Sequence, residues 1–161
     1  MPGNPGGTSN NWSGYAVATA NYTSIQGNWT VPSVSYVSAS SAPQTELSSA
    51  WIGIGGVSDS SLIQVGTVQQ VSSSGATSYY AFYELIPAGE VILPTAQYPV
   101  SPGDAMTAMI ECLSGCEPNA SQQWVIEIVN LTKNWLYDHA AAPSHTPPPC
   151  HPPSGSWRRR A

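Results

Sequence analysis

The sequence predicts an all-β fold, an antiparallel sandwich in a single domain, and three observations predict it. No segment holds a helical period over three turns. Short stretches rich in β-branched and aromatic residues recur instead between clusters of turn residues. Gln122 to Asn130 alternates strictly, with Trp124, Ile126 and Ile128 on one side and Gln123, Val125, Glu127 and Val129 on the other, the pattern of a strand with one face on a core.

Strands are expected at Trp12 to Ala18, Ile25 to Val31, Ser48 to Gly53, Leu62 to Val71, Ser78 to Ile86, Ala105 to Cys112 and Gln123 to Leu131. Ser72 to Gly75 (Ser-Ser-Ser-Gly), Ser101 to Asp104 (Ser-Pro-Gly-Asp) and Leu113 to Asn119 supply turns between them. The spacing suits a two-sheet sandwich. Residues 1–10 read as a disordered N-terminal segment, 11–136 as the domain and 137–161 as a Pro-rich disordered tail. The tail carries every arginine together with His139, His145 and His151.

A chain of 161 residues with 41% apolar content fills one core. Only 8% of its residues are charged, against about 25% in an ordinary soluble domain. Hydroxyls and amides therefore carry the surface, and up to Trp157 the only strong cation is Lys133. The net charge of −5 shrinks toward zero in acid, which suits a secreted protein working at low pH. The same acidic balance excludes nucleic acid as a partner, since phosphates need a basic footprint. No apolar run reaches membrane-spanning length, so no membrane partner is expected, and the chain is read as a monomer. Met1 to Gly7 lacks the basic start and apolar stretch of a signal peptide. Asn-x-Ser/Thr sequons begin at Asn11, Asn21, Asn28, Asn119 and Asn130 and give weak support for export. Of three cysteines, Cys112 and Cys116 bracket a turn and are spaced to close a small disulfide, while Cys150 stands among prolines. The histidines have no spacing that aims them at one ion, so neither a metal nor another cofactor is expected.

No Gly-x-Ser-x-Gly elbow, His-Glu-x-x-His pair or phosphate-cradling loop occurs, and no histidine falls inside the predicted sandwich. Hydrolytic chemistry would have to use carboxylates or amides. Gln64 and Glu84 are the polar residues set among apolar strand neighbours. On a concave sheet a carboxylate and an amide on adjacent strands hold a water and polarise a carbonyl. On period alone, ordinary outward-facing strand residues remain the commoner reading of both.

Six stretches then follow one another in order: Asn11-Trp-Ser-Gly-Tyr-Ala16, Gly27-Asn-Trp-Thr-Val-Pro32, Trp51-Ile-Gly-Ile-Gly-Gly56, Leu62-Ile-Gln-Val-Gly66, Tyr83-Glu-Leu-Ile-Pro87 and Val100-Ser-Pro-Gly-Asp104. Over Asn11 to Leu131 the set resembles the glutamic peptidases, or eqolisins. The resemblance implies a concanavalin-like jelly roll with the active site on a concave sheet, and secreted, acid-acting endopeptidase activity on polypeptides. In that family a Glu serves as general base and then proton donor while a Gln stabilises the oxyanion. Gln64 looks like that Gln. Trp12 and Trp51 match cleft positions, though core tryptophans are common in sandwiches. Glu84 matches a secondary, substrate-binding cleft carboxylate. The chain departs from the fungal pattern at Gly55, where an acidic residue is usual, and at Phe82, where a Trp is usual.

The family's catalytic Glu lies further on, in a motif of the form Ala-Glu-Trp-Ile-Val-Glu that this sequence lacks. Codons compatible with Pro153-Ser-Gly-Ser-Trp-Arg-Arg-Arg160, read one base earlier, translate as Ala-Glu-Trp-Ile-Val-Glu-Glu-Ala. A change of frame between Leu131 and Pro147 would account for this, leaving the sandwich incomplete at its C-terminus and the activity impaired. A non-catalytic sandwich that binds carbohydrate or peptide is the alternative reading.

Overall fold

A computed structural model describes residues 13–17, 21–37, 44–56, 61–117 and 120–141. Among these the chain forms eight strands and no helix: β1 (Ser24–Thr30), β2 (Glu46–Gly55), β3 (Leu62–Val71), β4 (Thr77–Ile86), β5 (Val91–Ile92), β6 (Ala105–Ser114), β7 (Gln123–Asn130) and β8 (Trp135–Ala141). They build two four-stranded antiparallel sheets, ordered β1-β6-β7-β8 and β2-β3-β4-β5. The sandwich expected from the sequence is therefore the fold.

The core lies where the inward rows of the two sheets meet. Met106, Ala108 and Ile110 on β6 and Trp124, Ile126 and Ile128 on β7 face Ile63 and Val65 on β3 and Ala81 and Tyr83 on β4. Burial alternates along β7, as the sequence predicts, because an apolar side chain falls at every second residue. A polar chain also crosses the interface, running from the half-buried Trp29 through buried Thr67 and Gln69 to the exposed Ser48. The Trp29 indole donates to Thr67 Oγ1 at 2.9 Å, Gln69 Nε2 donates to the same oxygen at 2.9 Å, and Ser48 Oγ donates to Gln69 Oε1 at 3.3 Å. The Trp29 and Gln69 donors thus have an acceptor in Thr67, and β1 is tied to the middle of the opposite sheet.

The turn after Val100 is pinned by charge. Asp104, 3% exposed, accepts from Asn130 Nδ2 at 2.7 Å and from the Ser101 amide at 2.8 Å, and pairs with Lys133 at 3.1 Å. Burial alone would raise its carboxyl. The hydrogen bonds from Asn130, Ser101 and Lys133, with the lysine charge, outweigh that and hold it below the ordinary value.

Three expectations are corrected. Ser13–Val17 form no strand, and Tyr15 is almost fully exposed; Trp12 and Ala18 lie outside the described residues. The sandwich runs past Leu136 to Ala141, because β8 pairs with β7 from Asn130↔Trp135 to Trp124↔Ala141. His139 therefore belongs to the sandwich: its ring stacks on Tyr83 of the facing sheet at 4.7 Å, and Tyr137 stacks on the same tyrosine at 5.9 Å. Burial first, then the hydrogen bond with Tyr83, pushes the Tyr137 hydroxyl up to about 12. Residues 1–10 and the segment after Ala141 lie outside the described residues. Cys112 and Cys116 are joined as a disulfide, with Cα atoms 5.8 Å apart.

Candidate active site

The outward rows of β2, β3 and β4 share one face. In the antiparallel register Gly53 stands opposite Gln64, and Gln64 stands opposite Glu84. Residues directly opposite in a ladder point to the same side, so the amide and the carboxylate meet. Gln64 Nε2 donates to Glu84 Oε2. An amide nitrogen has two hydrogens, and this bond uses one while fixing the direction of the other.

Two glycines make room beside the pair. A Cβ at Gly66 would stand 2.6 Å from the Trp51 Cβ and 2.8 Å from its Cα, and one at Gly53 would stand 3.0 Å from Trp51 Cζ3. The Trp51 backbone and ring thus press against glycine backbone, where any side chain would collide. Its indole, 39% exposed, forms a wall of the groove. Gly55 has a positive φ of 99°, and a Cβ there would lie 2.5 Å from the Ser61 carbonyl oxygen. An acidic residue at this position would be strained in the present backbone, so the departure noted at Gly55 belongs to the local geometry. Phe82, buried to 4% exposure, lies opposite Gly66 and lines the groove.

The groove encloses about 1060 Å³, with Trp29, Trp51, Gln64, Phe82, Glu84 and Glu90 among its lining. Of the residues expected at a site, Gln64, Glu84 and Trp51 come together here, whereas Trp12 lies outside the described residues. Trp51 belongs to the groove rather than to the core.

Glu90 is a groove residue that the sequence reading missed. It follows the turn at Pro87 and Ala88, where the Ala88 amide donates to the Leu85 carbonyl at 2.7 Å. The ladder pairs Phe82 with Ile92 and Tyr83 with Val91, and Glu90, just before it, lines the groove with Glu84. Burial is the largest influence on the Glu90 carboxyl. A hydrogen bond from Tyr80 lowers it and the charge of Glu84 raises it again, and the balance lies above the ordinary value. Tyr80 is raised in turn by burial and by Glu90. The short Pro87-Ala-Gly89 link was the available signal, since such a turn returns the chain beside Glu84. Among the described residues no three His, Cys, Asp or Glu side chains group as metal ligands.

The sequence and the fold have known relatives. Aspergillopepsin-2 of Aspergillus niger is 31% identical over 146 residues, covering 81% of this chain and 49% of the relative. A crystal structure of scytalido-glutamic peptidase with a transition state analog inhibitor superposes with a TM-score of 0.60 at 18% identity, over 82% of this chain and 56% of that one. A second, with a peptide based transition state analog, gives 0.58 at 19% identity over 82% and 55%. At such identity the superpositions establish the fold, and the chain spans about half the length of the relatives it matches. The sequence also matches the Peptidase A4 family over residues 10–153, and on that span, with the 31% identity, the chain belongs to the A4, or glutamic peptidase, family.

Proposed function

We propose that the chain is a secreted glutamic endopeptidase acting on polypeptides in acid, with Gln64 as the oxyanion partner. The observation that carries this is the Gln64 amide held by Glu84 on the floor of a groove walled by Trp51. The extended backbone of an unfolded polypeptide lies along the groove, with apolar side chains against Trp51 and Phe82. As water adds to the scissile carbonyl, negative charge grows on its oxygen, and the second Gln64 hydrogen meets it. An amide keeps its hydrogens at any pH, so this contact persists where a histidine or lysine donor would bring a titrating charge.

The general base of the family is a Glu in a motif absent from these 161 residues. We therefore read this chain as slower than relatives that carry it, by about 10²–10⁴-fold, the usual worth of a positioned base. Sparse charge supports export and acid tolerance, and an acidic surface supports a monomer that ignores nucleic acid.

The test is cleavage of an unfolded protein at acid pH. Activity should survive pepstatin-type inhibitors and chelators and be lost in Gln64→Ala. Activity that survives Gln64→Ala, or that chelators remove, would sink the reading. The exposed indole of Trp51 also favours a second reading, sugar stacking in the same groove. Glycan binding that Trp51→Ala abolishes, in a protein without proteolysis, would establish it.

A further inference from the structure

Gln64 stands between two unlike neighbours. On the β2 side lies Gly53, and the Trp51 ring covers it, with Cζ3 at 3.0 Å from where a Gly53 Cβ would stand. On the β4 side lies Glu84, whose Oε2 accepts from Gln64 Nε2. A side chain boxed in this way has little room to swing, but its terminal torsion is broad and roughly two-fold, so the amide can turn end for end in place. The two ends differ in chemistry, since the nitrogen carries two donors and the oxygen only accepts. What the groove meets therefore depends on which end Glu84 holds.

We propose that Glu84 is the positioning residue of this site: its carboxyl decides which end of the Gln64 amide faces the groove, and the amide turns when that carboxyl takes a proton. The inference rests on the peptidase reading above. An ionised carboxylate only accepts, so it holds the nitrogen end in a charge-assisted bond, and the reverse orientation would set two acceptors against each other. One amide hydrogen is spent on the carboxylate and one is left for an oxyanion. A protonated carboxyl has an O–H to give. A half-turn about the Gln64 Cγ–Cδ bond then brings Oε1 to Glu84 as the acceptor and sends both N–H groups toward the groove. One proton is taken from solvent, and no bond between heavy atoms is made or broken.

The surroundings leave this switch to Glu84. From β3 it meets the uncharged Gln64, and β2 contributes Gly53 and Trp51, neither of which titrates. Glu90, ahead of β5, feels the charge of Glu84 and is bonded by Tyr80 of β4. Tyr15 and Tyr22 complete the titratable lining of the groove. Among the described residues no lysine or arginine lines it, so no cation competes with Gln64 for the Glu84 oxygens. Acid therefore strengthens the donor that meets the oxyanion, through one side chain and its neighbour.

The experiment uses the full 161-residue chain and two readouts, with circular dichroism confirming that each variant folds. In the first, nitrogen-15 NMR follows the Gln64 side-chain amide, identified as the signal pair that Gln64→Ala removes, and carbon-13 NMR follows the Glu84 carboxyl carbon. As the pH falls the two move with one midpoint, and in Glu84→Gln, the uncharged isostere, the Gln64 pair stays still. A Gln64 pair that is unmoved in the parent chain, or that moves equally in Glu84→Gln, overturns the turn whatever the activity. In the second, cleavage of an unfolded protein is measured against pH. Glu84→Ala frees the amide and lowers kcat about tenfold with KM unchanged, while Glu84→Gln restores kcat to within about threefold and flattens the part of the profile that follows the Glu84 carboxyl. Cleavage that Gln64→Ala abolishes, but that keeps the parent's kcat and profile in both Glu84 variants, overturns the positioning role and keeps the peptidase reading. A parent chain that cleaves nothing at any pH overturns the peptidase reading and the catalytic consequence with it, while the amide spectra still judge the turn.

Discussion

Trp51 rests on Gly66, its paired residue across the β2–β3 ladder, with only 2.6 Å between the Trp51 Cβ and the place a Gly66 Cβ would take. The close approach lets the indole stand at the groove while the β2 backbone stays in register with β3. Gly66→Ala must push Trp51 and its strand away, and overpacking of this kind costs about 1–3 kcal/mol. A thermal melt should show a lowered midpoint, and substrate affinity should fall because the wall moves.

Trp51→Ala tests the wall itself. The ring is partly exposed, so the fold should hold, while KM for an unfolded substrate should rise about tenfold with kcat little changed, the loss of about 1.4 kcal/mol of binding common to ground and transition states. A fall in kcat at constant KM would move Trp51 from substrate holding to chemistry.

Asp104 sets a pH dependence of stability. Its folded carboxyl titrates below the unfolded one, so its contribution is fully present above the ordinary aspartate range near about 4 and is lost only as pH falls through the depressed folded value. Asp104→Ala should cost about 2–3 kcal/mol at pH about 5, since it strands the Asn130 and Ser101 donors. The gap between parent and variant should close as the pH is lowered toward about 2. Melts across that range check it, and a gap independent of pH would show that the carboxylate is not the source.

The nucleotide sequence supplies a further check. β8 stays in register with β7 through Ala141, which places that part of the chain in the frame of the fold. A change of frame, if it created the tail, lies between Ala141 and Pro147. Sequencing should find there the insertion or deletion that restores Ala-Glu-Trp-Ile-Val-Glu, and a second frame lacking this motif rules the idea out.

The parts of the fold legible in the sequence were those where apolar side chains mark the inward face. β7 shows this best and β6 nearly as well, whereas β3 and β4 carry apolar residues on both faces and were legible by β-branched and aromatic content. β8 escaped because its inward residues are Trp135, Tyr137, His139 and Ala141, amphipathic or small, running into a Pro-rich stretch. β5 escaped because two exposed residues carry no period. Trp12 to Ala18 attracted a strand reading through aromatic and branched residues, but the described part finds no pairing partner. At the site, Gln64, Glu84 and Trp51 stood out through motif order, whereas their meeting depends on register, which strand composition does not fix. Glu90 depended on a turn geometry that three residues only hint at.

The two flanks of the sandwich are unlike. On one, Tyr83, Tyr98, Tyr137 and His139 zip the sheets together. On the other, β1 and β2 are both outermost, and among the described residues each has a strand neighbour on one side only. Any strand joining β2 there would arrive next to the bare backbone of Gly53 and extend the row that contains Gln64. Lengthening the sheet and extending the floor of the groove are thus one event, and the same open seam that could admit such a strand is where two copies at high concentration would stick.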